Sequence, residues 1–183
     1  MSAARFALAA VVLALAGCRS AQAPIELAQH VDLNRFMGDW YVIANIPTFL
    51  ETDAYNAIES YRLDTDGTIA TTFTFNKGAA NGPQKLYRPR GFVIDRESNA
   101  IWGMRFVWPI KSDYRIVHVD ENYSQTIIGR EARDYVWIMA RTPTVPAADY
   151  QRLIKRVQDA GYDVEMIHKV PQTTEVSRDA SAR

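Results

Sequence analysis

The sequence predicts an all-β chain that folds as an eight-stranded antiparallel up-and-down barrel with a C-terminal α-helix packed outside. Two observations support this fold class. Short segments of alternating apolar and polar residues recur about every ten residues, separated by turn-forming residues, a pattern typical of barrels and sandwiches. One segment near the C-terminus has helical periodicity instead.

Eight candidate strands account for the middle of the chain. Residues Ile69, Thr71 and Phe73 share one face of the third strand, because successive side chains of a strand point to opposite sides. The connections between strands are rich in Asp, Asn, Gly and Pro, which form tight turns. The predicted strands are 39–46, 53–63, 68–75, 84–94, 100–107, 113–119, 123–128 and 134–141.

The eighth predicted strand is apolar on both faces. Tyr135, Trp137 and Met139 share one face, and Val136 and Ile138 share the other. One face can therefore line the interior of the barrel while the other packs beneath a further element.

Residues 146–160 provide that element as a helix. Four apolar residues recur on a single helical face, Pro146 suits the first turn, and Gly161 suits the position after the last. A short strand is expected over 163–167, and the polar residues 172–183 are expected to form a flexible tail. The helical face consists of Tyr150, Leu153, Ile154 and Val157.

Composition excludes several classes of function. The 183 residues include 21 basic and 21 acidic side chains without a long basic run, so nucleic acid is not an expected partner. The single cysteine, Cys18, excludes an intrachain disulfide and a thiolate metal cluster. We expect no metal and no other cofactor.

The N-terminus has the features of an export signal. Residues 1–17 contain one basic residue followed by an apolar run that is long enough for a signal peptide and too short to span a bilayer comfortably. The run ends in Leu15-Ala16-Gly17-Cys18, which resembles the lipobox of bacterial lipoproteins, where the leader is cut before an acylated cysteine. This resemblance implies lipidation of Cys18, and Arg19 after it implies the periplasmic side of the bacterial outer membrane. Residues 18–31 are expected to be a flexible tether.

Two motifs connect the predicted barrel to a known family. Gly38-Asp39-Trp40-Tyr41 opens the first strand and matches the Gly-x-Trp-Tyr motif of lipocalins. Arg141 matches the lipocalin arginine, which packs across that tryptophan at the closed end, a contact of about 0.5–2 kcal/mol. Asp120 and Tyr123 partly match an intervening Thr-Asp-Tyr motif. We expect these motif residues to stabilise the barrel rather than touch a ligand.

Several longer segments of the folded part of the chain resemble the bacterial lipocalins related to apolipoprotein D. This resemblance implies that residues 32–171 form one lipocalin domain. The resemblance implies a membrane-anchored carrier, not an enzyme, with a fatty acid or lysophospholipid as its ligand. Tyr61 and Trp137 match pocket positions of those relatives. Tyr114 and His118 share a predicted strand face whose direction the sequence leaves open. The predicted lining residues are Tyr55, Glu59, Tyr61, Phe73, Phe75, Trp102, Met104, Phe106, Tyr114, His118, Trp137 and Met139.

Two predicted loops carry apolar residues that turns do not normally need. These residues are Phe49 and Leu50 after the first strand, and Trp108 and Ile110 after the fifth. In one interpretation the loops lie at the open mouth and touch a membrane or a partner. In the other they fold over as a lid or pack on each other.

Other functions remain open at this stage. An enzyme would need a base such as Glu59, because the three histidines are far apart in the sequence and form no recognisable motif. An envelope interaction protein with a vestigial cavity is a second alternative, and a tetrapyrrole or retinoid carrier is a third. The oligomeric state is also open, with a homodimer as one alternative.

Overall fold

The computed structural model describes residues 23–173. Within that range the chain forms two α-helices, one 3-10 helix and ten strands. The helices are α1 (Leu33–Phe36) and α2 (Ala147–Asp159), and Val164–Met166 form the 3-10 helix. The strands are β1 (Gly38–Ile46), β2 (Ala54–Leu63), β3 (Thr68–Lys77), β4 (Gln84–Tyr87), β5 (Arg90–Val93), β6 (Ile101–Val107), β7 (Ile110–Val119), β8 (Gln125–Gly129), β9 (Val136–Ala140) and β10 (His168–Lys169).

The strands close into a barrel of eight positions. Neighbours in sequence pair antiparallel, and β9 pairs with β1 to complete the ring. Strands β4 and β5 both pair with β3 and together hold one position. The sequence predicts one strand here, but Pro89 interrupts it because proline has no amide hydrogen for the ladder. The predicted eight-stranded barrel with an outer C-terminal helix is thus confirmed.

Two apolar layers hold the barrel and helix α2 together. The inner layer fills the barrel and includes Trp40, Trp102 and Met139. The outer layer joins Ile138 on the outside of β9 to buried residues of α2 such as Leu153. Strand β9 is therefore apolar on both faces because each face is buried against a different layer. Neither α-helix in residues 23–173 is long and apolar enough to cross a bilayer.

Two short elements differ from the sequence prediction. The strand expected over 163–167 is wrong: the Asp163 side chain accepts a hydrogen bond from the Glu165 amide and starts the 3-10 helix instead. The strand forms just beyond, as β10, which pairs with β1. Helix α1 is too short for a periodic signal, but the Asp32 side chain caps it by accepting bonds from the Asn34 and Arg35 amides.

A β-bulge in strand β2 corrects the prediction for Tyr55. The register of β2 against β3 shifts between Tyr55 and Ile58, and Asn56 has a positive φ of 52°. Tyr55 consequently pairs with Asn76, whose side chain lies on the opposite face of β3 from the buried Phe75. Tyr55 therefore faces out, and its predicted place inside the barrel is wrong.

A second bulge, in strand β7, corrects the prediction for His118. The register of β7 against β8 shifts between Ile116 and His118. His118 pairs with Ile127, which belongs to the apolar layer beneath α2. Tyr114 faces the interior whereas His118 faces outward, so the two do not share a face as expected.

The closed end of the barrel is built around Arg141. Its guanidinium carbon lies 3.8 Å from the centroid of the Trp40 ring. The same group donates hydrogen bonds to the carbonyl oxygens of Arg35, Phe36 and Met37, the last residues of α1 and its C-cap. Two further bonds reach the carbonyls of Asp39 and Tyr123. Arg141 therefore fixes α1 across the bottom of the barrel.

The other motif residues surround this closed end. Asp120 accepts bonds from the amides of Ser124 and Gln125 and so shapes the turn before β8. The Tyr123 hydroxyl accepts a bond from the Asp32 amide. Gly38 has a φ of 95°, and a side chain there would meet the Arg141 guanidinium at 3.3 Å. Tyr41 pairs with Ile58 on β2 and Ala140 on β9.

The chain before α1 differs from the expected tether. Ile25 and Val31 are buried, the Ala28 amide bonds to the Ile116 carbonyl, and the Val31 amide bonds to the Ser98 carbonyl. Residues 23–31 therefore run along the outside of the barrel, attached to it. The predicted signal peptide over 1–17 and the lipidated Cys18 lie outside the described residues.

The expected tail also begins later than predicted. The Gln172 side chain donates hydrogen bonds to the carbonyls of Val42 and Ala57. The Thr173 amide and hydroxyl both bond to the Asn56 side chain. Residues 172 and 173 thus belong to the folded domain, and 174–183 lie outside the described range.

We expect Arg141→Ala to lower the free energy of unfolding by about 3 kcal/mol, because it removes the ring contact and leaves several carbonyls without donors. Arg141→Lys should cost less, since it keeps the charge but not the planar fork. Urea unfolding measures both. Arg62→Ala, which removes a largely exposed arginine that pairs with Asp64, is the control and should cost under about 0.5 kcal/mol. Equal destabilisation by Arg141→Ala and Arg62→Ala would contradict the role of Arg141.

Candidate functional site

The open end of the barrel contains a cavity of about 360 Å³. This volume lies at the lower end of the usual range for small-molecule sites. Six of the predicted residues line it: Glu59, Phe73, Met104, Phe106, Tyr114 and Trp137. They come from five different strands, so the closed sheet brings together residues that are far apart in the sequence.

Four other predicted residues face inward without lining the cavity. Trp102 stacks on the Tyr114 ring with centroids 5.4 Å apart, and the Phe36 ring packs nearly perpendicular to the Trp102 ring. These rings fill the lower part of the barrel, so the cavity occupies only the upper part. The four residues are Tyr61, Phe75, Trp102 and Met139, all of them buried.

The rim of the cavity is formed by loops. Thr48, Phe49 and Leu50 line it from the loop between β1 and β2, and Tyr135 lines it from the loop between β8 and β9. Phe49 is 81% exposed and Trp108 is 78% exposed, so neither side chain is folded over the cavity as a lid. The structure thus places both apolar loops at the mouth, with their largest rings in solvent.

Glu51 holds the first of these loops to the barrel. Its Oε1 atom accepts hydrogen bonds from the amide and hydroxyl of Thr48 and, at 3.1 Å, from the Trp137 indole nitrogen. Burial raises the pKa of Glu51, and the bonds from Thr48 and Trp137 oppose the rise. Strand periodicity could not identify this residue because it lies in a loop. Its only sequence signal is an acidic side chain directly after the apolar run 46–50.

Glu59 lies lower in the cavity within a group of hydroxyls. The Tyr61 hydroxyl donates to Glu59 Oε2, and the Tyr114 hydroxyl lies 3.5 Å from the same atom and 2.5 Å from the Tyr61 hydroxyl. Burial, helped by the nearby Glu51 charge, raises the pKa of Glu59 to about 8 despite the bond from Tyr114. Burial and the Glu59 carboxyl raise the pKa of Tyr114. Glu59 is therefore mostly uncharged at pH 7.

Arg130 was not predicted, because it follows strand β8 in a loop. It lines the cavity, pairs with Asp134 at 3.0 Å, and stacks over the Tyr135 ring at 5.2 Å. Its backbone amide donates to the Tyr162 hydroxyl, which donates in turn to the Arg130 carbonyl. Ser112 and Asp113 of β7 also line the mouth and were missed.

A second concavity lies outside the barrel. It is an open groove of about 850 Å³ between residues 23–30, strand β7 and the end of α2. His118 lines this groove, and burial followed by the nearby Arg156 charge lowers its pKa. The groove is larger than the inner cavity but is open and polar, whereas a hydrophobic ligand needs enclosure.

Comparison with known proteins extends these observations. The family model described as a lipocalin-like domain matches residues 31–172. Temperature-induced lipocalin-1 of Arabidopsis thaliana is 28% identical over 158 residues, covering 81% of this chain and 83% of that protein. Outer membrane lipoprotein Blc of Escherichia coli K12 is 25% identical over 170 residues, covering 91% and 94%. The insecticyanin structure from Manduca sexta superposes with a TM-score of 0.65 at 14% identity, covering 82% and 85%.

The raised pKa of Glu59 predicts how stability depends on pH. The carboxyl ionises near 4.5 in the unfolded chain and near 8 in the folded one, so between these values unfolding releases a proton that the folded chain holds. The free energy of unfolding should therefore fall as pH rises from 4.5 to 8, with a slope from this group of up to ~1.4 kcal/mol per pH unit. Urea titrations of wild type and Glu59→Gln at several pH values test this. An identical slope in the two proteins would contradict the assignment.

Proposed function

This chain belongs to the lipocalin family, and on that premise we propose that it is a lipid-anchored carrier that binds fatty acids or lysophospholipids in the bacterial cell envelope. The observation that carries the proposal is the apolar cavity at the open end of the barrel. Aromatic and thioether side chains line most of it, and its few polar groups lie at the two ends. An acyl chain with a polar head matches this distribution.

The position of Arg130 supports a head-out orientation for an acidic lipid. Its guanidinium lies at the rim, where a carboxylate or phosphate can reach it while the chain enters the cavity. A ligand of about 20 heavy atoms at ~0.3 kcal/mol each would gain ~6 kcal/mol, a dissociation constant of tens of micromolar. Such affinity lets a carrier release its ligand.

The positions of the histidines favour binding over catalysis. His30 and His168 are exposed, and His118 faces the outer groove. No histidine of residues 23–173 therefore reaches the cavity, and Glu59 has no such partner for nucleophilic catalysis.

The path of the N-terminal segment supports a mouth that faces the anchoring membrane. Arg133, in the rim loop between β8 and β9, donates a 2.7 Å hydrogen bond to the Ala23 carbonyl. Residue 23 thus leaves the barrel at its open end, and the segment descends from there to the closed end at Val31. Five residues from Cys18 to Ala23 span at most ~18 Å. A lipid on Cys18 would hold the membrane within that distance of Ala23, at the end of the barrel where Phe49 and Trp108 are exposed.

We expect Ser112→Trp to weaken binding of dodecanoate and a lysophospholipid at least about tenfold, because an indole there fills the cavity mouth. Calorimetric titration measures the affinity. Thr144→Trp, exposed beyond the closed end, is the control and should bind as wild type does. Native mass spectrometry of protein purified from its host should show lipid on the wild type only. Unchanged affinity in Ser112→Trp, or no lipid on the wild type, would favour an interaction protein with a vestigial cavity.

Phe49→Glu and Trp108→Glu should each slow ligand transfer from lipid vesicles about tenfold, because each removes ~60 Å² of apolar area that the membrane would cover, worth ~1.5 kcal/mol. The rate is measured by stopped-flow fluorescence of a labelled fatty acid. Ile94→Glu, at an exposed apolar residue of the closed end, is the matched control. If all three variants transfer ligand as the wild type does, the loops do not touch the membrane.

A further inference from the structure

The base of the cavity carries a carboxyl group in an otherwise aromatic setting. Glu59 pairs with Trp40 on β1 and with Phe73 on β3, so it lies just above the ring of residues that closes the barrel. Only 9% of its surface is exposed. It also lines the cavity, so the exposure that remains is toward the space a ligand would occupy. A fatty acid bound with its head at the rim makes no use of this group.

One oxygen of Glu59 is left for a ligand. Tyr61 and Tyr114 both direct their hydroxyls at Oε2. Among the hydrogen bonds of residues 23–173, none engages Oε1. A carboxyl held this way has a fixed orientation, and its Oε1 atom is left without a donor among the described residues.

The charges around the cavity leave Glu59 without a cation. Three carboxylic acids among the described residues line the cavity, and Arg130 is the only cation among them. Arg130 pairs with Asp134, and Asp113 pairs with Arg115 at 2.9 Å. The third acid, Glu51, is held by uncharged donors. Glu51 and Glu59 therefore line the same cavity, and neither forms an ion pair with a described residue.

Aromatic rings complete this environment. Phe73, Tyr114 and Trp137 line the cavity together with Glu59. Ring faces attract cations through their quadrupole, most strongly where water is excluded, and aromatic cages recognise quaternary ammonium groups. A carboxylate or phosphate would meet repulsion from the same groups.

We propose that the base of the cavity is a site for an ammonium group carried on an alkyl chain, which enters head first and pairs with Oε1 of Glu59. The inference rests on the proposed carrier function, since it requires that the cavity admits a chain. It adds hydrophobic amines and alkylammonium compounds as a second ligand class, bound in the opposite orientation to an acidic lipid. Glu51 contributes negative charge from above.

Proton release identifies such a ligand. Glu59, with a pKa of about 8, is ~90% protonated at pH 7, so pairing with a cation must displace its proton to the buffer. Tyr114, whose pKa is raised by burial and by the Glu59 carboxyl, stays a protonated hydroxyl, and the nearby charge of Glu51 strengthens the attraction for a cation. Affinity for a permanent cation should therefore rise about tenfold per pH unit from pH 6 to 8 and level off above. The affinity for a carboxylate ligand should not rise over the same pH range, because deprotonation of Glu59 adds no attraction for an anion.

The test compares three probes with the same chain: decyltrimethylammonium, decanoate and 1-decanol. Calorimetric titration at pH 6, 7, 8 and 9, in two buffers of different ionisation enthalpy, gives affinity and proton release on the full protein. For the cation we expect ~0.9 proton released at pH 7. Glu59→Gln should bind the cation at least about tenfold more weakly at pH 8, without a pH dependence. Glu121→Gln, exposed at the closed end, is the matched control.

The outcomes separate the two proposals. Binding of decanol and decanoate without binding of the cation overturns the ammonium site and leaves the carrier function standing. Cation binding without proton release also overturns the site, and this result needs no variant. If none of the probes binds, the carrier function falls and the ammonium site falls with it.

Discussion

The contact between Arg141 and Trp40 is the interaction on which the rest of the structure depends. Arg141 directly follows β9, and its guanidinium binds the end of α1, the start of β1 and the turn before β8. The first and last strands of the ring therefore meet at one cation. Closure of the ring removes the free edges of the sheet, and α1 seals the end that Arg141 holds. Because that end is sealed and packed with rings, the open space lies at the other end.

This division explains why inward-facing residues have two different roles. Trp102 and Met139 belong to the packed half, where they support the residues above them. Met104, two residues beyond Trp102 on the same strand, already lines the cavity. The direction of a side chain therefore places it inside the barrel, but the packing around it decides whether a ligand can reach it: Phe75, two residues beyond Phe73 on β3, is buried and does not line the cavity.

The sequence predicted the barrel because alternation and turn residues are local signals, and it predicted helix α2 because four apolar residues share one face. It could not predict the bulges in β2 and β7: one extra residue near Asn56 or Val117 puts the side chains before it and those after it on opposite faces from the ones that simple alternation predicts, and neither residue type marks a bulge by itself. Loop residues such as Glu51 and Arg130 have no periodicity from which to infer their direction. The attachment of residues 23–31 depends on partners such as Arg133 that are distant in sequence.

The four tryptophans of the chain occupy four distinct environments. Trp40 is buried beneath a guanidinium, Trp102 is buried in a stack, and Trp108 is exposed to water. Trp137 lies on the cavity wall with its indole nitrogen bonded to a carboxyl. Single-tryptophan versions of the protein would therefore emit at different wavelengths, and only the emission of Trp137 would report occupancy of the cavity. The intrinsic fluorescence of these tryptophans can therefore be used without an added dye.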